Sequence, residues 1–240
     1  MLPYLNLFGI QVDSSLFFWG VGILVSQIYY QLFGRAYGFR WYQSLLFGVS
    51  FLLFEIIGAK ILYIFENLPD VIEHGVGFSG FSFFGIMFSV PLLVLPLAKI
   101  AKIPYGKLLD FASSGILIEL AFYRVGCTLV GCCHGIPFPF GITYPEEGTL
   151  FPVQPLEAVL DLAIAILLIV LYKKERLFTG EQYLLYMIGY GLLRFVLEFL
   201  REREILFWTF SISHIWAALA LLSGLMILFV LRGKKHCKEN

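Results

Sequence analysis

The chain has 240 residues, of which 59% are hydrophobic and only 14% are charged, and its formal net charge is zero. A soluble globular protein carries about a quarter charged residues because its surface faces water, so this composition excludes a soluble fold and, with 25 Phe, a disordered one. A net charge of zero provides no basic surface for nucleic acid. The sequence therefore predicts an integral membrane protein that binds no nucleic acid.

Seven apolar stretches are long enough to cross a hydrocarbon core, which takes about 20 residues of helix. Their short connections leave no room for a soluble domain, and no cleaved signal peptide is expected because no charged region precedes the first stretch. The predicted fold is a single all-α domain over 1–240, a bundle of seven transmembrane helices. The predicted spans lie near 15–33, 44–65, 80–98, 108–130, 155–172, 181–200 and 209–231.

Basic residues in the connections predict the orientation, because Lys and Arg accumulate on the cytoplasmic side. Twelve of the 17 basic residues occupy every second connection: Arg35, Arg40, Lys99, Lys102, Lys107, Lys173, Lys174, Arg176, Arg232, Lys234, Lys235 and Lys238. The other connections carry Asp13, Glu66, Asp70, Glu73, Glu146 and Glu147, with Arg201 and Arg203. The N-terminus is therefore predicted to lie outside and the C-terminal tail in the cytoplasm.

Several ionisable side chains fall within the predicted spans, where a charge is costly and must be paired, interfacial or functional. The sequence assigns no individual functional role to four of these side chains: Glu55, Lys60, Glu119 and Asp161. The fifth span starts with two polar residues, the uncharged Gln154 and the ionisable Glu157. A simple favourable interaction of Glu157 with the helix dipole competes with a functional role for this residue.

The fourth span ends in a patch rich in glycine and cysteine, from Arg124 through Cys132-Cys133-His134 to Gly135. Gly126, Gly131 and Gly135 let the backbone bend and approach a ligand. Irregular backbone at membrane depth is tolerated only inside protein or beside a cavity. The patch therefore predicts a polar cavity that opens to the outer leaflet.

The cysteines Cys127, Cys132 and Cys133 allow three interpretations. Cys and His are zinc ligands, but adjacent cysteines suit one tetrahedral ion poorly and no C-x-x-C motif is present. A reactive thiol beside Arg124 or His134 is the second interpretation. Small buried residues that permit tight packing are the third and preferred one, so no metal and no cofactor are predicted.

The sixth span places Tyr190, Arg194, Glu198 and Arg201 at i, i+4, i+8 and i+11, which is one face of a helix. Two cations that flank one carboxylate suit an anionic headgroup, because guanidinium matches phosphate in shape and charge. A structural Arg–Glu pair is the alternative. In the last span, His214 lies beside Ser211 and Ser213, a polar cluster more typical of a cavity wall than of a lipid-facing surface.

From about residue 45 to residue 230, these motifs together resemble the prolipoprotein diacylglyceryl transferase family. Gly58-Ala59-Lys60 is similar to the family's Gly-Ala-Arg, and Gly80-Phe-Ser-Phe-Phe-Gly85 to its Gly-x-Ser-x-His-Gly. The patch that starts at Arg124 resembles the Arg-x-Gly-Asn signature in the branch that reads Gly-Cys-Cys-x-Gly. Pro152-x-Gln154-x-x-Glu157 and the four polar residues of the sixth span complete the resemblance.

The resemblance implies a transferase of the bacterial cytoplasmic membrane. Members move a diacylglyceryl group from phosphatidylglycerol to the lipobox cysteine of a membrane-tethered prolipoprotein and release glycerol phosphate. By resemblance, Arg124 and Arg194 hold the phosphate, and Glu198 and Arg201 position Arg194 or the headgroup. The remaining residues implied in substrate binding are Tyr190, Gly126, Cys127, Gly135, Gln154, Glu157 and His214.

The chain also departs from the family pattern. Phe84 stands where the family has the His that is often proposed to deprotonate the acceptor thiol. Other departures are Tyr123 for Gly, Cys127 for Asn, Phe151 for His and His214 for Gln. Because Phe84 cannot accept a proton, either His134 or His214 is expected to replace it as the base, or the thiol ionises unaided beside the arginines.

Two other functions stay open from the sequence. One is a lipid-headgroup transferase of the same fold that serves another lipid acceptor and uses Cys132 or Cys133 as a covalent nucleophile. The other is a membrane protein that binds anionic lipid without catalysis.

Overall fold

The computed structural model describes residues 2–7, 9–77, 80–145, 147–202 and 205–239, with side chains up to residue 234. Glu146 and Arg203, both assigned above to outer connections, lie outside the described residues, as do the side chains of Lys235 and Lys238. Within the described ranges the chain forms eight helices and two small antiparallel sheets. The helices are α1 (Ser14–Phe33), α2 (Trp41–Glu66), α3 (Leu68–His74), α4 (Phe83–Ala101), α5 (Tyr105–Val130), α6 (Val153–Lys173), α7 (Glu181–Glu198) and α8 (Ile212–Glu239).

Six of these helices are long and apolar enough to cross a membrane: α1, α2, α4, α5, α6 and the part of α8 up to Lys234. This finding confirms a predominantly helical, multi-pass membrane protein. The sixth predicted span forms α7 at the expected place, but this helix carries the charged residues Glu181, Arg194 and Glu198 and is not among the six candidates. The count of seven spans and their orientation stay predictions.

Two short hairpins were not predicted from the sequence. The first pairs β1 (Tyr4–Leu7) with β2 (Ile10–Asp13), directly before α1. The second pairs β3 (Pro137–Tyr144) with β4 (Gly148–Leu150), in the Pro-rich connection between α5 and α6. β1, β2 and β4 have only three or four residues, too few for a clear alternating pattern, and β3 is Pro-rich and mostly exposed.

The first hairpin delivers a capping residue to α1. Asp13 accepts hydrogen bonds from the backbone N–H groups of Ser15 and Leu16 at 2.8 and 3.1 Å, and these are donors that the first turn of a helix leaves unsatisfied. The hydroxyl of Ser15 donates to the same carboxylate, and these hydrogen bonds lower the pKa of Asp13 below its usual value. The capped end of α1 borders the cavity described below.

Helix α5 is the centre of the bundle, and nearly all of its residues from Leu108 to Ala121 are buried. It packs against α1, α4, α6 and α7. Glycines permit the close approach of α1: a Cβ on Gly22 would lie 3.0 Å from the carbonyl oxygen of Glu119, and one on Gly126 would lie 2.7 Å from Cα of Ser15. Gly126 is thus a contact between helices.

Polar side chains fix α7 against α5. Asp110 of α5 accepts hydrogen bonds from the backbone N–H groups of Gly180 (2.6 Å) and Tyr183 (3.1 Å), at the start of α7. The side-chain amide of Gln182 donates to the hydroxyls of Ser113 and Ser114 at 3.0 and 2.9 Å. Because all these groups are buried, a shift of α7 along α5 would leave them unsatisfied. The register of α7 determines where Arg194 lies.

Candidate active site

A cavity of about 720 Å³ lies between α1, α2, α4, α5, α7 and the start of α8. Three arginines predicted to act on the substrate, Arg124, Arg194 and Arg201, line this one cavity. Other lining residues include Trp19, Glu55, Phe83, Phe84, Glu119, Tyr123, Cys133, Tyr190 and Ser213. Residues from four separate sequence motifs therefore meet at a common space.

The carboxylate of Glu157 links two of the arginines. Its Oε2 lies 3.0 Å from Nε of Arg124 and 3.3 Å from Nη1 of Arg194. All three side chains are buried, and Glu157 lies behind the arginines because it is not itself part of the cavity wall. Helix α6 thus supplies the anion that holds guanidinium groups from α5 and α7 beside each other.

A second carboxylate holds the other edge of Arg194. Nη2 of Arg194 lies 2.8 Å from Oε2 of Glu198, one turn further along α7. The hydroxyl of Ser211 donates to Oε1 of Glu198 at 2.7 Å. The guanidinium of Arg194 is therefore held at two edges by two carboxylates, which is the forked geometry that arginine favours.

His214 supports this arrangement from behind. Its Nδ1 accepts a hydrogen bond from the backbone N–H of Ser211 at 3.0 Å, and its ring packs against Phe199 with centroids 4.4 Å apart. His214 does not form part of the cavity wall, although its neighbour Ser213 does. The structure therefore places His214 where it orients Ser211, and through it Glu198.

Tyr190 lies in the cavity wall and also contacts Glu157. Its hydroxyl donates to Oε1 of Glu157 at 3.3 Å, and its ring packs against Phe83 and Phe84 at 4.6 and 5.9 Å between centroids. The tyrosine thus orients the carboxylate that holds both arginines, and its ring continues the apolar wall towards α4.

The charges around the arginines favour an anion. Arg124, Arg194 and Arg201 carry three positive charges and face the cavity, whereas Glu157 and Glu198 carry two negative charges and lie behind them. Burial, together with the nearby guanidinium groups of Arg194 and Arg124, lowers the pKa of Arg201 from its usual value. A phosphate in the cavity would relieve this crowding of cations, because guanidinium forms charge-assisted hydrogen bonds with phosphate.

The segment after α5 is held by Gln154 and by backbone contacts. The side-chain amide of Gln154 donates to the carbonyl oxygen of Cys132 at 2.8 Å and to the hydroxyl of Tyr144 at 3.2 Å. Gly135 forms an isolated β-bridge with Arg201, where a Cβ would lie 2.4 Å from the carbonyl oxygen of Phe151. Gln154 and Gly135 thereby shape the wall that carries Cys133 and Arg201.

His134 lies between two carboxylates, one near each nitrogen of its ring. Nε2 lies 2.8 Å from Oε2 of Glu147, and Nδ1 lies 3.2 Å from Oε2 of Glu202. The ring does not line the cavity. The two histidines that the sequence offers as bases, His134 and His214, are thus both placed outside the cavity wall.

The three cysteines occupy different environments. Cys127 is fully buried in α5, and the thiol of Cys132 is directed at its carbonyl oxygen at 3.8 Å. Cys133, with φ of 61°, is the cysteine in the cavity wall. Contacts with the other two thiols, together with Arg201 and Arg124, lower the pKa of Cys133. Within the described part of the chain, no group of three or more Cys, His, Asp or Glu side chains is arranged to hold a metal ion.

Two lining residues, Glu55 and Glu119, were given no role from the sequence. Each is a carboxyl group without an opposite charge one turn away on its own helix. These unpaired carboxyl groups could be noticed in the sequence. That Glu55 of α2 and Glu119 of α5 line the same cavity depends on the packing of the bundle.

The fold and the cavity together define a class of protein: a multi-pass, α-helical membrane protein with a buried arginine cluster facing a cavity inside the bundle. A sequence model of the family "Prolipoprotein diacylglyceryl transferase" matches residues 5–230. The chain therefore belongs to the prolipoprotein diacylglyceryl transferase family, which confirms the resemblance read from the motifs.

Proteins of similar sequence carry names that agree with this membership. The chain is 27% identical over 254 residues to phosphatidylglycerol–prolipoprotein diacylglyceryl transferase 2 of Clostridium perfringens, with 98% of each chain covered. It is 27% identical over 215 residues to the transferase of Clostridium tetani, covering 84% of this chain and 86% of the relative. The transferase of Geobacter sulfurreducens is 30% identical over 159 residues, covering 62% and 61%.

Proposed function

We propose that this protein transfers a diacylglyceryl group from phosphatidylglycerol to the lipobox cysteine of a membrane-tethered prolipoprotein and releases glycerol phosphate. The observation that carries the proposal is the cluster of Arg124, Arg194 and Arg201 on one cavity wall, backed by two carboxylates. Membership of the family and the names of the relatives support it.

The reaction forms one bond and breaks another. The sulfur of the acceptor thiolate bonds to a glycerol carbon of the diacylglyceryl group, and the bond from that carbon to a phosphate oxygen breaks. Its electron pair stays on the departing glycerol phosphate, so negative charge grows there. Arg124 and Arg194 lie in fixed positions to stabilise that charge, which is the arrangement expected of an electrostatic catalyst.

The other polar residues position the arginines and the cavity wall around them. Glu157 holds Arg124 and Arg194 together, while Tyr190 orients Glu157 and presents its ring to the lipid. Glu198, Ser211 and His214 fix the second edge of Arg194. Gln154, His134 and Gly135 shape the segment that carries Arg201 and Cys133.

We place the protein in the bacterial cytoplasmic membrane as a single domain with seven spans, the N-terminus outside and the cavity open to the outer leaflet. The alternation of basic connections supports this topology. The arginine cluster lies close to the N-terminal end of α1, since Asp13, Ser15 and Arg124 border the same cavity. Phosphatidylglycerol and a secreted acceptor would both reach that end from the outer side.

A direct assay tests the proposed function. Purified protein in phosphatidylglycerol liposomes is incubated with a lipobox peptide, and the peptide mass and free glycerol phosphate are measured. We expect a diacylglyceryl mass gain on the cysteine, and none when liposomes contain only phosphatidylcholine. Glycerol phosphate release without peptide modification would indicate another acceptor. Lipid binding without either product would indicate a binding protein instead.

The alternative with a cysteine nucleophile has one observation in its favour, the position of Cys133 in the cavity wall. Cys133→Ser separates the two mechanisms, with Cys132→Ser as its neighbour control. Direct transfer to the peptide thiol predicts that both variants keep turnover. Loss of turnover in Cys133→Ser alone would favour a covalent intermediate on this residue.

A further inference from the structure

The proposed reaction requires the acceptor thiol to lose a proton, and the arginine cluster contains no group that can take it. Guanidinium groups are permanently protonated, and Glu157 and Glu198 are occupied by arginines behind the wall. His134 and His214 do not line the cavity. A proton acceptor has to be found among the other side chains that face this space.

Glu55 of α2 and Glu119 of α5 both line the cavity and are each only 4% exposed. The two carboxyl groups interact electrostatically with each other, one from α2 and one from α5. One oxygen of each, Oε1 of Glu55 and Oε2 of Glu119, is buried without a hydrogen-bond partner among the described residues. Neither residue takes part in any ion pair within the described part of the chain.

Two buried carboxyl groups that interact with each other cannot both be ionised, so they share one proton and one negative charge. The hydroxyl of Ser26 on α1 donates to Oε1 of Glu119 at 2.5 Å. This additional donor stabilises a carboxylate on Glu119. Glu55 therefore carries the shared proton and donates it towards Glu119.

The surroundings of the pair are apolar or phenolic. The titratable groups that face it are Tyr30 from α1, and Tyr183 and Tyr186 from α7, which face Glu55. Tyrosine stays protonated at neutral pH. Glu119 therefore provides a negative charge at the cavity that none of these neighbours neutralises.

The pair also lies within reach of the arginine cluster. Glu119 precedes Arg124 by five residues on α5, which is about 7.5 Å along a helix axis. The backbone N–H of Ser82 donates to the carbonyl oxygen of Ala59 at 3.1 Å, so the start of α4, with Phe84, lies about one turn from Glu55. The cavity thus has a cationic region for the phosphate and an anionic pair further along α5, and Phe84 lines the same space.

We propose that the Glu55–Glu119 pair is the proton acceptor for the incoming thiol, with Glu119 as the carboxylate that takes the proton. This inference rests on the proposed function. The S–H bond breaks, the proton passes to Glu119, and the sulfur keeps the electron pair with which it attacks the glycerol carbon. After glycerol phosphate leaves, the proton passes to water and Glu119 is a carboxylate again.

The test compares Glu119→Gln with Glu55→Gln in the liposome assay between about pH 6.5 and pH 9.5. Without its base, the enzyme can use only thiol that ionises unaided, with a pKa near 8.5. We expect Glu119→Gln to lose at least about 30-fold in turnover at pH 7 and to regain about tenfold per pH unit up to that value. Glu55→Gln should lose less turnover at pH 7 than Glu119→Gln, because its amide can still donate to Glu119.

A matched control and a second readout separate this role from a structural one. Glu181 is equally buried but pairs with Arg232, away from the cavity, so Glu181→Gln should keep the wild-type pH profile. The rise in Tm caused by phosphatidylglycerol should persist in Glu119→Gln, since the arginines hold the phosphate.

Three results would overturn the inference. A loss in Glu119→Gln that is the same at every pH would mean that the pair only packs the helices, and unchanged turnover would mean that it is not used. A larger loss in Glu55→Gln than in Glu119→Gln would contradict the assignment of Glu119. If wild-type protein gives no peptide modification, the proposed function itself fails, which is a separate outcome.

Discussion

At the scale of single residues, Arg194 has the most demanding environment in the cavity wall. Its guanidinium lies 3.3 Å from Glu157 and 2.8 Å from Glu198, while a third side of the group faces the cavity. A lysine offers one point charge and cannot satisfy two carboxylates and a phosphate in a fixed plane. A positive charge alone is therefore insufficient to replace the planar guanidinium group of Arg194.

We expect Arg194→Ala to lower kcat/KM at least about 100-fold, which corresponds to roughly 2.7 kcal/mol of transition-state stabilisation. The kcat/KM of Arg194→Lys should lie between that of Arg194→Ala and that of the wild type. The liposome assay measures both, with Tm as a check of folding. Arg232→Ala, which removes a half-exposed arginine paired with Glu181, is the control and should stay near wild type. Near-normal turnover in Arg194→Ala would refute the phosphate role.

The sequence predicted this site in part. The spacing of Tyr190, Arg194, Glu198 and Arg201 predicts one face of a helix, and the structure has the first three there. The prediction was wrong for Arg201, because α7 ends at Glu198 and Arg201 lies beyond it in a β-bridge with Gly135. The meeting of Glu157 with arginines from two other helices could not be predicted, because helical periodicity describes one helix at a time. The same limit hid the contact between Glu55 and Glu119.

At the scale of elements, the crossing of α2 and α4 depends on two glycines. A Cβ on Gly85 would lie 2.3 Å from the carbonyl oxygen of Gly58 and 2.9 Å from Cα of Ala59. Both atoms belong to backbone and cannot move away by a rotamer change. The close packing of small residues is the usual basis of helix association in membranes, and here it sets the position of Phe84 and Glu55.

We expect Gly85→Ala to lower the free energy of unfolding by about 1–3 kcal/mol, because the helices must separate to admit the methyl group. Gly20→Ala is the matched control, since a Cβ at Gly20 of α1 meets nothing within 4 Å and alanine favours a helix. Thermal unfolding in detergent micelles compares the two. Equal Tm values for both variants would show that the crossing can relax at no cost.

At the scale of the whole molecule, the lengths of the apolar stretches in the sequence predicted where the long helices lie. The predicted spans 15–33 and 108–130 correspond to Ser14–Phe33 and Tyr105–Val130, because a stretch of about 20 apolar residues has few other ways to satisfy its backbone in lipid. The hairpin at Pro137–Tyr144 escaped prediction, since a Pro-rich segment with exposed residues resembles a loop.

Topology is decided by α7, which is the one long helix in the described part of the chain that is not among the six candidate membrane spans. If α7 crosses the membrane, the C-terminus lies opposite the N-terminus; if it does not, both lie on the same side. We expect a C-terminal green fluorescent protein to fluoresce and a C-terminal alkaline phosphatase to be inactive, as for a cytoplasmic end. A fusion after Glu202 should give the reverse pattern. Active phosphatase at the C-terminus would exclude seven spans.

The carboxylate of Glu157 has a consequence for the interval between two turnovers. Arg124 and Arg194 share this anion, which is part of the protein and cannot leave with a product. When glycerol phosphate departs, the two guanidinium groups are not left to repel each other across an empty space. The vacant site therefore keeps the shape that the next lipid requires, and it does not have to retain its last product as a counter-ion.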